Sequence, residues 1–217
     1  METTHDSQEL HVHLKEKLKS IPETFGIRLN EEPIYKVLRK DGDFEVRHYP
    51  KQLIAKVTLH GMSYDYFREH AFELLAAYIF EGNESKKAVP MTSPVLTEKS
   101  HDQIAMTSPV LQHEDPSGAW TMSFILPKEF TLATAPKPNN PEIQLEEVEP
   151  YEAASVTYTG NNNLKNIEEH KKLLADWVSK QPELDVVGHF FIAQYDAPFV
   201  IPFLKRNEIQ VKIKTIH

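Results

Sequence analysis

The sequence predicts an α+β fold: a twisted, barrel-like, mainly antiparallel sheet with two long helices packed against it. Three observations predict it. Short runs rich in Val, Ile, Tyr and Phe alternate with turns built from Gly, Pro and Asn. Two segments space their apolar residues with helical periodicity. The order strand, helix, strand, strand occurs twice, which points to an internal duplication.

Residues 1–30 read as an N-terminal helical appendage, because Leu10, Leu14, Leu18 and Ile21 recur at helical spacing before Pro22 stops the helix. Residues 31–217 read as a single domain. Its first strands are Ile34–Arg39 and Phe44–Tyr49, with Asp41-Gly42 between them at a spacing suited to a tight hairpin. A third run, Gln52–His60, follows Pro50. Ser63 then caps a helix in which Phe67, Ala71, Leu74, Leu75, Tyr78 and Ile79 share one face, ending near Gly82-Asn83. Extended segments follow at Val89–Leu96, Gln103–Leu111 and Ala119–Leu126. The stretch from Pro127 to Pro141 holds four prolines and reads as a connector.

Beyond it the first half is replayed. A strand at Ile143–Val148, a strand at Ala153–Thr159 and a helix at about Leu164–Lys180 precede two strands near Val186–Tyr195 and Glu208–Ile213. Pro50 and Gly61 bracket one strand before a helix, as Pro150 and Gly160 do in the second copy, giving pseudo-repeats at about 34–126 and 142–214. A shorter echo runs from Pro90–Leu96 to Ala105–Leu111, a spacing that fits neighbouring antiparallel strands and not a solenoid, which needs at least three stacked copies.

Composition narrows the function. With 40% hydrophobic and 26% charged residues the chain is an ordinary globular one, and no apolar stretch predicts a secretory signal or a membrane span, so a cytoplasmic location is expected. A net charge of −8 opposes binding to nucleic acid. The absence of cysteine removes disulfides, thiolate catalysis and thiolate metal sites. There is no G-x-S-x-G elbow and no phosphate-binding glycine motif among only seven glycines. His11 and His13, with His5 nearby, are either a metal clip at high divalent-ion concentration or ordinary terminal histidines, and the second reading is preferred since residues two apart on a helix diverge. His70 sits at the border of the apolar face of the first long helix, where it is either an iron ligand or a half-exposed helical histidine paired with Glu73. The segment Tyr195–Leu204 is apolar, aromatic and stiffened by Pro198 and Pro202. It is either a loop folded back over the core or a flap closing a hydrophobic cavity.

Several segments, taken in order, carry a resemblance. They are Glu31–Leu38, Phe44–Tyr49, Ile104–Val110, Trp120–Phe124, Pro136–Asn139, Tyr195–Pro198 and Phe203–Glu208. Together they resemble the SOUL/haem-binding protein family, in its bacterial-type form, from about Phe25 to Ile213. The resemblance implies a twisted, duplicated antiparallel fold and reversible, non-covalent binding, buffering or transport of haem or a related tetrapyrrole. It implies an apolar groove between the first long helix, contributing Phe67, Arg68, Ala71, Phe72 and Leu75, and the last inter-strand loop, contributing Tyr195, Pro198, Phe199, Pro202 and Phe203. Arg68 would pair with a propionate, its alternative being a solvated pair with Asp65. His70 is the candidate axial ligand; Met91 and Met106 are either thioether ligands or core elements. A binding protein and not an enzyme is expected. The alternatives are a small-molecule effector-sensing or protein-interaction module without haem, and an enzyme acting on a tetrapyrrole with His70 or Tyr195 as proton donor.

Overall fold

The computed structural model describes residues 34–80, 82–84, 109–196, 203 and 205–216. The predicted N-terminal helix and the strand at Val89–Leu96 lie outside the described residues. Within them run β1 (Lys36–Asp41), β2 (Phe44–Tyr49), β3 (Gln52–Leu59), α1 (Tyr64–Phe80), β4 (Asn83–Glu84), β5 (Val110–Glu114), β6 (Trp120–Ile125) and β7 (Lys137–Pro138). They are followed by β8 (Gln144–Val148), β9 (Tyr151–Tyr158), α2 (Leu164–Val178), β10 (Leu184–Gln194) and β11 (Asn207–Thr215).

Local chemistry explains the element ends. Asp41 pairs with Phe44 across the first hairpin, and Gly42 takes the positive φ of 60° that the first position of such a two-residue loop requires. The Ser63 carbonyl accepts from Phe67 N at 2.9 Å to open α1. At its far end Gly82 N donates to Ala77 O at 2.6 Å, and a Cβ on Gly82 would stand 3.0 Å from that oxygen. Asn163 caps α2 by accepting from Asn166 N at 2.9 Å. β5 starts only at Val110, because Pro109 has no N–H to give the ladder, and continues to Glu114 before the Asp115–Gly118 turn. The proline-rich connector is more ordered than its composition suggests: β7 pairs with β4, and Tyr78 Oη donates to Pro136 O at 2.9 Å.

Nine strands form one antiparallel sheet in the order β1-β2-β9-β11-β10-β5-β6-β3-β8. It is twisted but open, with β1 and β8 at its edges, so the barrel-like expectation is corrected to an unclosed sheet. Leaving β1 aside, the order is symmetric about the β10–β5 junction. The trio β9, β11, β10 of the second repeat mirrors β3, β6, β5 of the first. The leading strands are exchanged: β2 runs into β3 yet pairs with β9, while β8 runs into β9 yet pairs with β3. Each repeat thus completes the sheet of the other.

Alternation along the strands separates two faces. Val57, Met122, Phe124, Val156, Ile192, Ile209 and Val211 point to one side, where α1 covers β3 and β6, and α2 covers β9, β10 and β11. Phe67, Ala71, Leu75 and Tyr78 of α1, and Ile167 and Leu174 of α2, are fully buried there. Full burial stabilises by about 1.5–3 kcal/mol for each large apolar side chain. The opposite face carries Arg47, Tyr49, Gln52, Lys56, His113, Tyr151, His189, Glu208 and Lys212, and its chemistry is polar.

Candidate functional site

Of the two walls expected from the sequence, the described residues include the helical one and, of the other, Tyr195 and Phe203. On α1, Phe67, Ala71 and Leu75 have no exposed surface and pack into the core, so they offer nothing to a ligand on the outside of the helix. Arg68 and Phe72, one turn apart, occupy the flank beside them. The Arg68 guanidinium stands 3.7 Å from the highly exposed Asp65 carboxylate and 5.9 Å over the Tyr64 ring, with 38% of its side chain exposed. Phe72 meets the Phe124 ring edge-on at 5.5 Å. His70 lies on the other flank, stacked on Tyr66 at 5.8 Å. Two residues of α-helix correspond to about 200° of rotation, so Arg68 and His70 do not share a face.

On the opposing segment, Phe203 is 70% exposed, whereas Tyr195 is buried. Pro198, Phe199 and Pro202 lie outside the described residues. Two residues past Phe203, burial and the nearby positive charge of Arg68 both pull Lys205 below the usual lysine value.

Tyr195 belongs instead to a charged cluster on the polar face of the sheet. Its hydroxyl donates to Glu208 Oε2 at 2.9 Å, and the Arg206 guanidinium lies 4.0 Å over its ring. Glu208, fully buried, also accepts from Arg47 Nη1 and Nη2 at 2.7 and 3.1 Å, from Arg206 Nε and Nη2 at 3.0 and 2.7 Å, and from Gln210 Nε2 at 2.8 Å. Arg47, 1% exposed, reaches Glu45 through Nε at 2.7 Å. Burial raises the Glu208 pKa, but the hydrogen bonds and charges of Arg47 and Arg206 outweigh it and hold the carboxyl below its ordinary range. A carboxylate so fully engaged is a structural anion and not an acid or base poised to react. Burial above all drives the Tyr195 hydroxyl well above the usual phenol value, which disfavours its ionisation.

Beside this cluster the polar face opens into a cavity of about 280 Å³ across the junction of the two repeats. Gln52 and Lys56 line one side, Tyr151, Phe191 and Lys212 the other, and His113 and His189 stack in parallel at 5.6 Å in the middle. Sequence reasoning missed both features. Their trace was the period-two pattern Glu208, Gln210, Lys212 set against Ile209, Val211, Ile213, which marks a strand with one polar and one apolar face. Among the described residues no group of three or more His, Asp or Glu side chains is arranged to hold a bare metal ion.

Taken together, these features define a duplicated α+β domain with helices on one face of its sheet and a polar cavity on the other. The model of the SOUL haem-binding protein family matches residues 30–212, and the chain belongs to that family. No curated protein matches it in sequence. Among solved structures, the C-terminal domain of EcmrR is similar with a TM-score of 0.59 at 9% identity, covering 84% of this chain and 99% of that one. EcmrR in a complex with DNA gives 0.53 at 10% identity, covering 96% and 64%. A hydrolase from Listeria innocua gives 0.51 at 11%, covering 92% and 97%. At such identities the likeness is one of fold alone. Among the described residues no helix is long and apolar enough to cross a membrane.

Proposed function

We propose that the chain binds haem or a related tetrapyrrole reversibly and without covalent attachment, on the Arg68 and Phe72 flank of α1 beside the segment that ends at Lys205. Membership of the SOUL haem-binding family carries the reading. The chemistry of the flank fits the periphery of such a ligand. Among the described residues the carboxylate paired with Arg68 is the loose, solvent-exposed Asp65, Lys205 adds a second cation nearby, and Phe72 and the exposed Phe203 supply aromatic surface. A guanidinium pairs with a propionate through charge-assisted hydrogen bonds, and the ring edge buries against the aromatics. Haem would bring an iron able to take an axial ligand. His70, on the far flank, does not serve that role in this reading.

In this reading the chain carries its ligand and does not transform it. Haemin titration followed in the Soret band tests it: wild-type protein shifts the band with micromolar or tighter affinity, Arg68→Ala weakens binding about tenfold, and His70→Ala leaves spectrum and affinity unchanged. No Soret change with wild-type protein, or a collapse of the spectrum in His70→Ala alone, overturns the proposal. Prolonged incubation returns the porphyrin unmodified if the chain is a carrier.

A further inference from the structure

The segment that the proposed site uses is tied together at its base, and the tie is anchored on the polar face of the sheet. Tyr195 N donates to Arg206 O at 3.3 Å, one step beyond Gln194 and Asn207, the last pair of the β10–β11 ladder. The Asp196 carboxylate accepts from Arg206 N at 2.5 Å, and the Asp196 carbonyl accepts from Gln194 Nε2 at 3.2 Å. The N–H that Asp196 holds belongs to the planar peptide joining Lys205 to Arg206, so it fixes the backbone at Lys205 itself. Asp196 and Lys205 are both buried.

Arg206 anchors this base. Its guanidinium donates to Glu208 Oε1 from Nε and Nη2 at 3.0 and 2.7 Å, lies 4.0 Å over the Tyr195 ring and reaches Tyr35 Oη at 3.3 Å. Charge balance in the cluster does not call for it. Arg47 already meets Glu208 with two N–H groups at 2.7 and 3.1 Å, and Lys40 meets Glu45 at 2.7 Å, so each carboxylate has a cation without Arg206. What Arg206 adds is a link from the buried anion to the segment. Lys205, the residue before it, instead feels the positive charge of Arg68 on the flank of α1. Two successive residues thus serve opposite faces, one as anchor and one as the group presented.

We infer that Asp196 and Arg206 are positioning residues for the ligand site, clamping the base of the segment to the buried Glu208 so that Lys205 is held ready for the rim of the tetrapyrrole beside Arg68. The inference rests on the tetrapyrrole reading above. Neither residue is assigned a contact with the ligand. A clamp made before the ligand arrives removes ordering cost from the binding step, which is the physical source of its effect on affinity.

Haemin titration of the full chain in the Soret band, with amide hydrogen exchange of the ligand-free chain beside it, tests the inference. Asp196→Ala removes the acceptor; it is expected to weaken haemin about fivefold and to speed exchange of the Arg206 N–H about tenfold. Asp196→Asn keeps an oxygen for that N–H and restores affinity to within about twofold of wild type. Arg206→Met, which retains the stem and the backbone N–H, weakens haemin by about the same factor as Asp196→Ala. Arg47→Met destabilises the same cluster without cutting the clamp and leaves haemin affinity unchanged. Wild-type affinity or unchanged Arg206 exchange in Asp196→Ala overturns the inference, as does absence of rescue by Asp196→Asn. So does an equal loss in Arg47→Met, which would reduce the effect to general destabilisation. Haemin binding that is weakened by Arg68→Ala but not by Asp196→Ala sinks the clamp and spares the tetrapyrrole reading, whereas an unchanged Soret band with wild-type protein sinks both.

Discussion

Arg47 sits at the centre of the best-connected polar network in the molecule. It joins Glu45 and Glu208 on two strands that are not adjacent, since β9 lies between β2 and β11. Removing one partner of a buried ion pair leaves the other charge uncompensated, which costs about 3–5 kcal/mol. Arg47→Met should therefore destabilise by about 3 kcal/mol in urea denaturation, the lower end, because Arg206 still holds Glu208. The same network sets an acid limit. Burial raises the carboxyls of Glu45 and Glu208, yet Lys40 and Arg47 for the first, and Arg47 and Arg206 for the second, bring both below their ordinary value of 4.5. Groups lowered on folding contribute stability that is fully present above the unfolded value and lost as pH falls through the folded one. Wild-type stability should thus be level above about pH 5 and drop below about pH 4.5, whereas Arg47→Met shows a shallower drop. An acid profile unaffected by the substitution would contradict this assignment.

At the scale of elements, α1 carries two loads on different faces. Its Phe67, Ala71 and Leu75 stripe belongs to the core, and its Arg68 and Phe72 flank is the part the proposed function uses. Phe67→Ala should cost about 3–5 kcal/mol of stability, the range for a fully buried phenylalanine, and affect haemin only through folding. Capping makes a smaller contribution: Asn163→Ala at the start of α2 should cost about 1 kcal/mol by thermal or chemical denaturation. These elements were legible in sequence because periodicity reports burial. Apolar residues at helical spacing placed α1 within a residue or two of its observed bounds, and the Pro50 to Gly61 and Pro150 to Gly160 brackets located β3 and β9. The direction of individual side chains was less legible. The sequence could mark Phe67 and Arg68 as neighbours, but only the packing of α1 on β3 and β6 decides which of them meets solvent. Tyr195 shows the same limit: an aromatic in an apolar stretch, it is drawn to the polar face by a hydrogen bond to a residue on the returning strand.

For the molecule as a whole, exchange of the leading strands welds two repeats into one sheet and leaves the junction between β10 and β5 at its centre. The duplication was readable from the recurring Pro, strand, Gly, helix order, but the exchange was not, because no local pattern reveals which strand a neighbour will pair with. The open edges follow from the same long-range pairing. Chemistry divides along the sheet: the helical side presents Arg68 and Phe72, and the opposite side holds the Arg47 and Glu208 cluster with its cavity. In the proposed reading a tetrapyrrole is recognised by its rim on the helical side, and the metal is then dispensable. Fluorescence titration with iron-free protoporphyrin tests that most directly. The account predicts binding within a few-fold of haemin and the same loss of affinity in Arg68→Ala; protein that binds haemin but leaves the metal-free ring unbound would contradict it.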